Sequence, residues 1–96
     1  MSETVEHEPD QNMYALWSNG KIRGRADYVI RDDALHITHV EIDPELQGQG
    51  LAGFLMRDTL DAVRLNTDYR VVPGCSYAKK YISEHPVYQD LLERGR

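Results

Sequence analysis

Residues 47–53 read QGQGLAG, that is Gln47, Gly48, Gln49, Gly50, Leu51, Ala52 and Gly53. Gly48 to Gly53 satisfy G-x-G-x-x-G, the pattern of dinucleotide-binding turns, while Gln47-x-x-Gly50-x-Ala52 satisfies Q-x-x-G-x-A, which belongs to a different kind of phosphate binder. Glycine at such positions permits positive φ and lets a phosphate approach the main chain. A helix beginning here would add about four amides without intrahelical partners and the positive end of its dipole, so the junction is suited to a pyrophosphate. The flanking sequence decides which of the two patterns applies.

Downstream of the loop the apolar period is helical. From Leu51 to about Leu65, Ala52, Leu55, Met56, Leu60 and Val63 form one stripe. Arg57, Asp58, Asp61 and Arg64 face water, with Arg57 and Asp61 spaced to pair at i,i+4 and Asn66 as the expected stop. Upstream the period is two. MYALW (13–17) leads into Asn19-Gly20, the strongest short hairpin signal, and Lys21 to Arg31 reads as the return strand. Asp32-Asp33 makes a second tight turn, and Ala34 to Ile42 forms a third strand ended by Asp43-Pro44. Beyond the helix, Tyr69 to Val72 reads as a short buried strand closed by Pro73-Gly74. A second helix is expected from about Ser76, its expected cap, to Glu84, and a last helical turn over Tyr88 to Leu92. Residues 1–11 are polar without sustained periodicity and are expected to be a flexible lead-in to a single domain over 12–96. The order is β-β-β-α-β-α, with the glycine loop at the only junction between a strand and a long helix.

Length and composition narrow the choice. The chain has 96 residues, enough for one core that buries about 60–65 % of the unfolded surface. It is too short for the two mononucleotide-binding halves and substrate region of a dinucleotide dehydrogenase. Eleven Lys and Arg against 16 Asp and Glu give a net charge of -5, and the longest basic run is Lys79-Lys80, which argues against direct nucleic-acid binding. No apolar run approaches a membrane span. MSETVEHEPDQN (1–12) does not resemble a secretory signal, and one cysteine, Cys75, permits no internal disulfide, so a reducing, cytoplasmic setting is expected.

The dinucleotide reading needs an acidic residue about 20 positions after the loop to hold the ribose hydroxyls, yet Tyr69 to Pro73 offers none. The strand before the loop also belongs to an antiparallel meander, and no Gly-Lys-Ser/Thr is present for a P-loop. A glycine turn that serves only helix packing remains open on pattern alone. The longer sequence favours the second pattern. HVEIDPELQGQGLAGFLM (39–56) followed by VPGCSYAKKYISEHPVYQDLL (72–92) resembles small, single-domain members of the GNAT N-acetyltransferase superfamily. Pro73, Cys75, Tyr77, Tyr81, His85, Pro86 and Tyr88 fit their P-x-C-x-Y-x-x-x-Y-x-x-x-H-P-x-Y spacing, and the similarity runs from about residue 12 to 92.

The resemblance implies an α/β (α+β) GNAT-like fold: a mixed, mostly antiparallel sheet with two main helices. It implies that Gln47, Gly48, Gln49, Gly50, Leu51, Ala52 and Gly53 hold the pyrophosphate of acetyl-CoA, with the pantetheine arm between splayed strands beside Val40 and Ile42. The expected activity is direct transfer of an acetyl group from acetyl-CoA, the co-substrate, to an unidentified amine, without a metal. The alternatives are a non-catalytic CoA-binding module acting through a protein partner and a nicotinamide dinucleotide binder. Relative to larger GNAT enzymes the chain lacks the helical segment that usually follows the first strand and helps build the acceptor pocket.

Acyl transfer needs a positioned donor, a polarised carbonyl, a deprotonated amine and a proton for the leaving thiolate. Backbone amides around Val40 and Ile42 can polarise the carbonyl. His39 and Glu41, which alternation places on one face of the third strand with His36 on the other, are candidate bases. The simpler account of each is an exposed or hydrogen-bonded strand residue. Cys75, at an expected helix N-terminus where amides and dipole favour a thiolate, is read as an acyl-carrying nucleophile, a contact for sulfur, or a small buried hydrophobe. In the family a tyrosine of this region protonates the thiolate, which points to Tyr77, with Tyr81 in packing. A zinc site from His36, His39, His85 and Cys75 lacks ligand spacing.

Overall fold

The computed structural model describes residues 3–94; residues 1 and 2 of the expected lead-in and 95 and 96 of the expected domain lie outside the described residues. The strands are β1 (Glu3–Glu8), β2 (Met13–Ser18), β3 (Lys21–Arg31), β4 (Ala34–Ile42) and β5 (Arg70–Pro73). Helix α1 spans Leu51–Asn66, α2 spans Ser76–Glu84, and a 3-10 helix covers Pro86–Glu93. The five strands form one sheet in the order β1-β2-β3-β4-β5, antiparallel except for the β4–β5 pair, which is parallel.

The meander follows from its turns. Asn19 and Gly20, at φ 53° and 79°, and Asp32 and Asp33, at 53° and 61°, occupy the left-handed region that a tight two-residue hairpin requires. Where a lead-in was expected over residues 1–11, Glu3–Glu8 is a strand paired along its length with β2. Its hold is non-local. Glu3 accepts from the Ser18 hydroxyl, Glu8 accepts from the Trp17 indole, and the His7 ring stacks on Tyr14 with centroids 4.3 Å apart.

One face of the sheet carries the core. Tyr14, Leu16, Ala26, Tyr28, Leu35, Ile37, Ile42 and Val71 of the strands pack with Leu55, Met56, Leu60 and Val63 of α1, Ala78 and Ile82 of α2, and Tyr88 and Leu91 of the 3-10 helix. All three helices therefore lie on that face, and Val40 also packs against it. The stripe expected on α1 is buried as read, apart from Ala52, which is half-buried. Its polar side differs from expectation: Arg57 pairs with Asp58 instead of Asp61, because Asp61 accepts a 2.8 Å hydrogen bond from the Tyr88 hydroxyl. Arg64 grips Asp90 through both terminal nitrogens, fixing the 3-10 helix against α1. At the C-terminus Asn66 is the last helical residue, and Thr67 closes the helix by donating to the Val63 carbonyl. Arg94 donates to the carbonyls of Val63, Arg64, Thr67 and Tyr69, placing a cation at the negative end of the dipole.

The β4–β5 ladder is short, running from Ala34 opposite Arg70 to Ile37 opposite Pro73. The Gly74 amide donates to the Ile37 carbonyl at 2.8 Å, and beyond that bond the strands part. A Cβ on Gly74 would stand 2.9 Å from the Ile37 carbonyl oxygen, so only glycine lets the chain leave β5 this closely. Because the obstruction is backbone and cannot rotate away, Gly74→Ala is expected to destabilise the fold by about 1–3 kcal/mol. An unchanged urea midpoint for that variant would show that the junction gives without cost.

Candidate functional site

The loop lies at the carboxyl end of β4, the end of an α/β unit at which ligands bind. Gly48 and Gly50 adopt φ of 84° and 77°, and Gly50 is the N-cap of α1. No side chain caps this helix, and its first intrahelical bond runs from the Phe54 amide to the Gly50 carbonyl. The amides of Leu51, Ala52 and Gly53 therefore point out of the helix start without intrahelical acceptors. They border a hollow of about 190 Å3 lined by Leu46, Gln47, Gly48, Gly50 and Tyr77 among others. A cavity of about 290 Å3, lined by Val40, Glu41, Ile42, Gln47, Ala52 and Tyr77, lies where the end of β4 meets the loop, α1 and α2. These six residues thus line one cavity. Gln49 is exposed and lines a separate hollow with Glu3, Gly50, Leu51 and Phe54.

The open edge of β4 is polar by construction. The Asp43 amide donates to the Arg23 carbonyl on β3, so the alternation of a strand turns the main-chain groups of Val40 and Ile42 the other way, into the cleft. The Ile42 carbonyl receives the Gln47 side-chain amide at 3.3 Å, tying the loop back to the strand.

The loop is braced by Asp43, read from the sequence only as the end of the third strand, and by Arg23, which the sequence did not single out. Asp43 caps the turn over Pro44–Leu46 by accepting from the Glu45 amide, and accepts from Arg23 at 2.8 Å. These two bonds, the backbone amide foremost, hold the Asp43 carboxyl below its ordinary range. Arg23 also reaches Glu45 at 3.0 Å. It is the extra residue of a bulge, since Leu16 pairs with Gly24 and Trp17 with Ile22. Asp at the start of a Pro-containing turn is a legible cap signal; its partner 20 residues earlier is not.

A second bulge corrects the reading of the histidines. Asp27 pairs with His39 and Tyr28 with Ile37, leaving Thr38 as the extra residue of β4. Strict alternation had set His36 opposite to His39 and Glu41; the bulge shifts the phase so that all three share the face away from the helices. His39 Nε2 and Glu41 Oε1 lie 2.7 Å apart, with side chains 54 % and 58 % exposed. Across from them on β3, Arg25 donates to both oxygens of Asp27.

On α2 the cap is Cys75, not Ser76: its Sγ accepts from the Ala78 amide at 3.4 Å. The thiol is half-buried against the core and lines neither cavity of the cleft. Tyr77 does line both, and burial, with a smaller contribution from Glu84, pushes its phenol above the ordinary value of 10.0. Tyr81 stacks on His85 with centroids 3.9 Å apart, and the His85 ring donates from Nδ1 to the Tyr81 carbonyl. A wider hollow of about 680 Å3 between Asp33 and residues 66–69 lies at the opposite end of the sheet and holds none of these groups. Among the described residues no cluster of three or more His, Cys, Asp or Glu could hold a metal ion, and no helix is long and apolar enough to cross a membrane.

No curated protein matches the sequence. A solved structure of a GNAT family acetyltransferase from Elizabethkingia anophelis with acetyl-CoA bound is similar in fold, with a TM-score of 0.57 and 21 % identity. The alignment covers 79 % of this chain and 56 % of that one, so the chain spans little more than half the length of that enzyme. The sequence profile described as GCN5-related N-acetyl-transferase matches residues 13–91. With that match over most of its length, the chain belongs to the GCN5-related N-acetyl-transferase family.

Proposed function

We propose that the protein binds acetyl-CoA in the β4–β5 cleft and transfers the acetyl group to an amine by direct attack. The observation that carries this reading is the juxtaposition of an uncapped α1 N-terminus with a cavity at the end of β4. The neighbour with acetyl-CoA bound supports the same ligand here. The residues fit it. Gly48, Gly50 and the amides of Leu51, Ala52 and Gly53 would receive the pyrophosphate, with Gln47 and Gln49 flanking it. Val40 and Ile42 would line the pantetheine arm and offer main-chain donors to the acyl oxygen.

Acetyl-CoA supplies an activated acyl group. The chain's own residues supply the proton traffic. The His39–Glu41 pair, close-coupled at 2.7 Å, takes a proton from the incoming ammonium, whose nitrogen then forms the amide bond as the C–S bond breaks. Tyr77, kept protonated by burial, gives its proton to the departing thiolate and is restored by the second proton that the nitrogen loses as the amide forms. Cys75 acts as the cap of α2 and sets the direction from which Tyr77 enters the cleft. A single cysteine in that structural role suits a reducing compartment, and we place the activity in the cytoplasm.

His39→Ala and Glu41→Gln are each expected to lower turnover about 100-fold at saturating amine, and Tyr77→Phe to lower it about tenfold, with calorimetric affinity for acetyl-CoA unchanged. Parallel loss of affinity would assign these residues to binding instead. If all amines tested leave bound acetyl-CoA intact, the protein is a CoA-binding module. Cys75→Ser, whose hydroxyl is a good cap, is expected to keep both the fold and turnover. Abolished turnover in that variant, with an acetyl adduct on the wild-type thiol by intact-protein mass spectrometry, would establish covalent transfer through Cys75.

A further inference from the structure

Along α2, Tyr77, Tyr81 and His85 recur every four residues, and the function proposed for the cleft uses only the first. Side chains of a helix lean toward its N-terminus, so residues four apart lie one over the other. His85, the C-cap, continues the stack: its ring lies on that of Tyr81 with centroids 3.9 Å apart and planes within 14°. The Tyr81 ring in turn stands 6.2 Å from that of Tyr77, tilted by 38°. The column ends in the cleft, since Tyr77 lines both cavities and Tyr81 lines neither. Each outer member is held from elsewhere. His85 donates from Nδ1 to the Tyr81 carbonyl at 2.7 Å, and Gln89 donates to the next carbonyl, that of Ile82, so the end of α2 is closed by side chains. Behind Tyr81 stands the ring of Tyr88, 6.1 Å away and 5 % exposed, whose hydroxyl donates to Asp61 on α1. In front, α1 presents Gly53. A Cβ there would stand 3.9 Å from both the Tyr77 hydroxyl oxygen and Cε2 of Tyr81, so the two rings lie side by side against the helix.

We infer that Tyr81 is a positioning residue: supported by His85 and Tyr88, it holds the Tyr77 phenol in the cleft and screens it from water. The inference rests on the reading of Tyr77 as the acid and adds the residue that places it. A tyrosine has more than one staggered rotamer open to it, and a proton donor works only from the one that brings its hydroxyl within hydrogen-bond reach of the departing sulfur. Tyr81 fills the space into which the Tyr77 ring would turn away from the cleft. It cannot itself retreat, because α1, His85 and Tyr88 bound it. The same contacts act on the proton. Burial foremost, with Glu84 adding to it, raises the Tyr77 phenol above 10.0. Glu41 shares its cavity from β4, while the charges of Arg57, Asp58 and Asp61 on α1 act on Tyr81. Removing the Tyr81 ring admits water, so the phenol falls back toward 10.0 and loses its proton at a lower pH. Turnover that needs the protonated phenol then fails earlier as pH rises.

The test compares Tyr81→Leu, which removes the ring, with Tyr81→Phe, which keeps it, each alone and combined with Tyr77→Phe. Should Tyr81→Leu not fold, His85→Leu, which removes the outer support, carries the same comparison. The 13Cζ resonance of Tyr77, assigned by its loss in Tyr77→Phe, is titrated with pH in each protein. CoA release at saturating acetyl-CoA is followed with butylamine as the acceptor, and acetyl-CoA affinity by calorimetry. Tyr81→Leu should lower the Tyr77 midpoint by about 0.5 or more and slow CoA release about fivefold at unchanged affinity. Within Tyr77→Phe the same change should slow release less than about twofold, because the group it positions is gone. Tyr81→Phe should restore both the midpoint and the rate. An unmoved Tyr77 midpoint, or an equal loss of rate with and without the Tyr77 hydroxyl, overturns the inference and leaves the acid reading of Tyr77 standing. Unchanged CoA release in Tyr77→Phe removes that reading, and this inference with it. Failure to bind acetyl-CoA at all removes the reading of the cleft together with both.

Discussion

A single hydrogen bond, from the Gly74 amide to the Ile37 carbonyl, marks where a parallel strand pair ends and the two segments part. Up to that point β4 and β5 satisfy each other's main-chain groups; past it β4 continues to Ile42 while β5 turns away into α2. Buried backbone groups without partners are costly, so a strand edge is left open beside the core only where something else can meet it. In this fold the candidates are the Gln47 side chain, which already reaches the Ile42 carbonyl, and a ligand with amide groups of its own. The absence of a Cβ at position 74 is what allows the chain to pass Ile37 closely and still redirect, within two residues, to the start of α2.

The rest of the site depends on where that divergence occurs. The carboxyl end of β4 delivers the chain to Asp43, which stops the strand, caps the next turn and fastens it to Arg23 on β3. The glycine loop can then be left uncapped at the head of α1 without being loose, because its entry is held by an ion pair, a turn and the Gln47 tether. Opposite the loop, Cys75 closes the start of α2 and sets Tyr77 into the cleft. Both sides of the opening are thus fixed by helix beginnings, one without a side-chain cap and one capped by a thiol.

Elements whose causes are local were legible in the sequence. Two-residue turns built on Asn-Gly and Asp-Asp, the apolar stripe of α1 and the proline stop after α2 depend on neighbours within a few positions, and the structure has them where the pattern placed them. The spacing of Gln47, Gly50 and Ala52 after a strand pointed to the loop at the head of α1, where Gly50 is an N-cap without a side-chain bond. What was not legible depends on distant partners. Glu3–Glu8 has one apolar residue, Val5, in a polar run, and it becomes a strand because β2 offers Ser18, Trp17 and Tyr14 to its side chains. The bulges at Arg23 and Thr38 leave no sequence mark, yet one of them moved His36 across the sheet and turned an apparent scatter of polar residues into a continuous charged face.

The central claim is that the uncapped start of α1 and the open edge of β4 form one ligand site. The most direct test is a titration of 15N-labelled protein with acetyl-CoA, followed by amide correlation spectra. The account predicts saturable shifts concentrated at Gly48, Gln49, Gly50, Leu51, Ala52 and Gly53 and at Val40 and Ile42, with the amides of β1 and the β3–β4 turn unmoved. Shifts at those remote positions with the loop and β4 edge silent, or no shifts at millimolar acetyl-CoA, would contradict it.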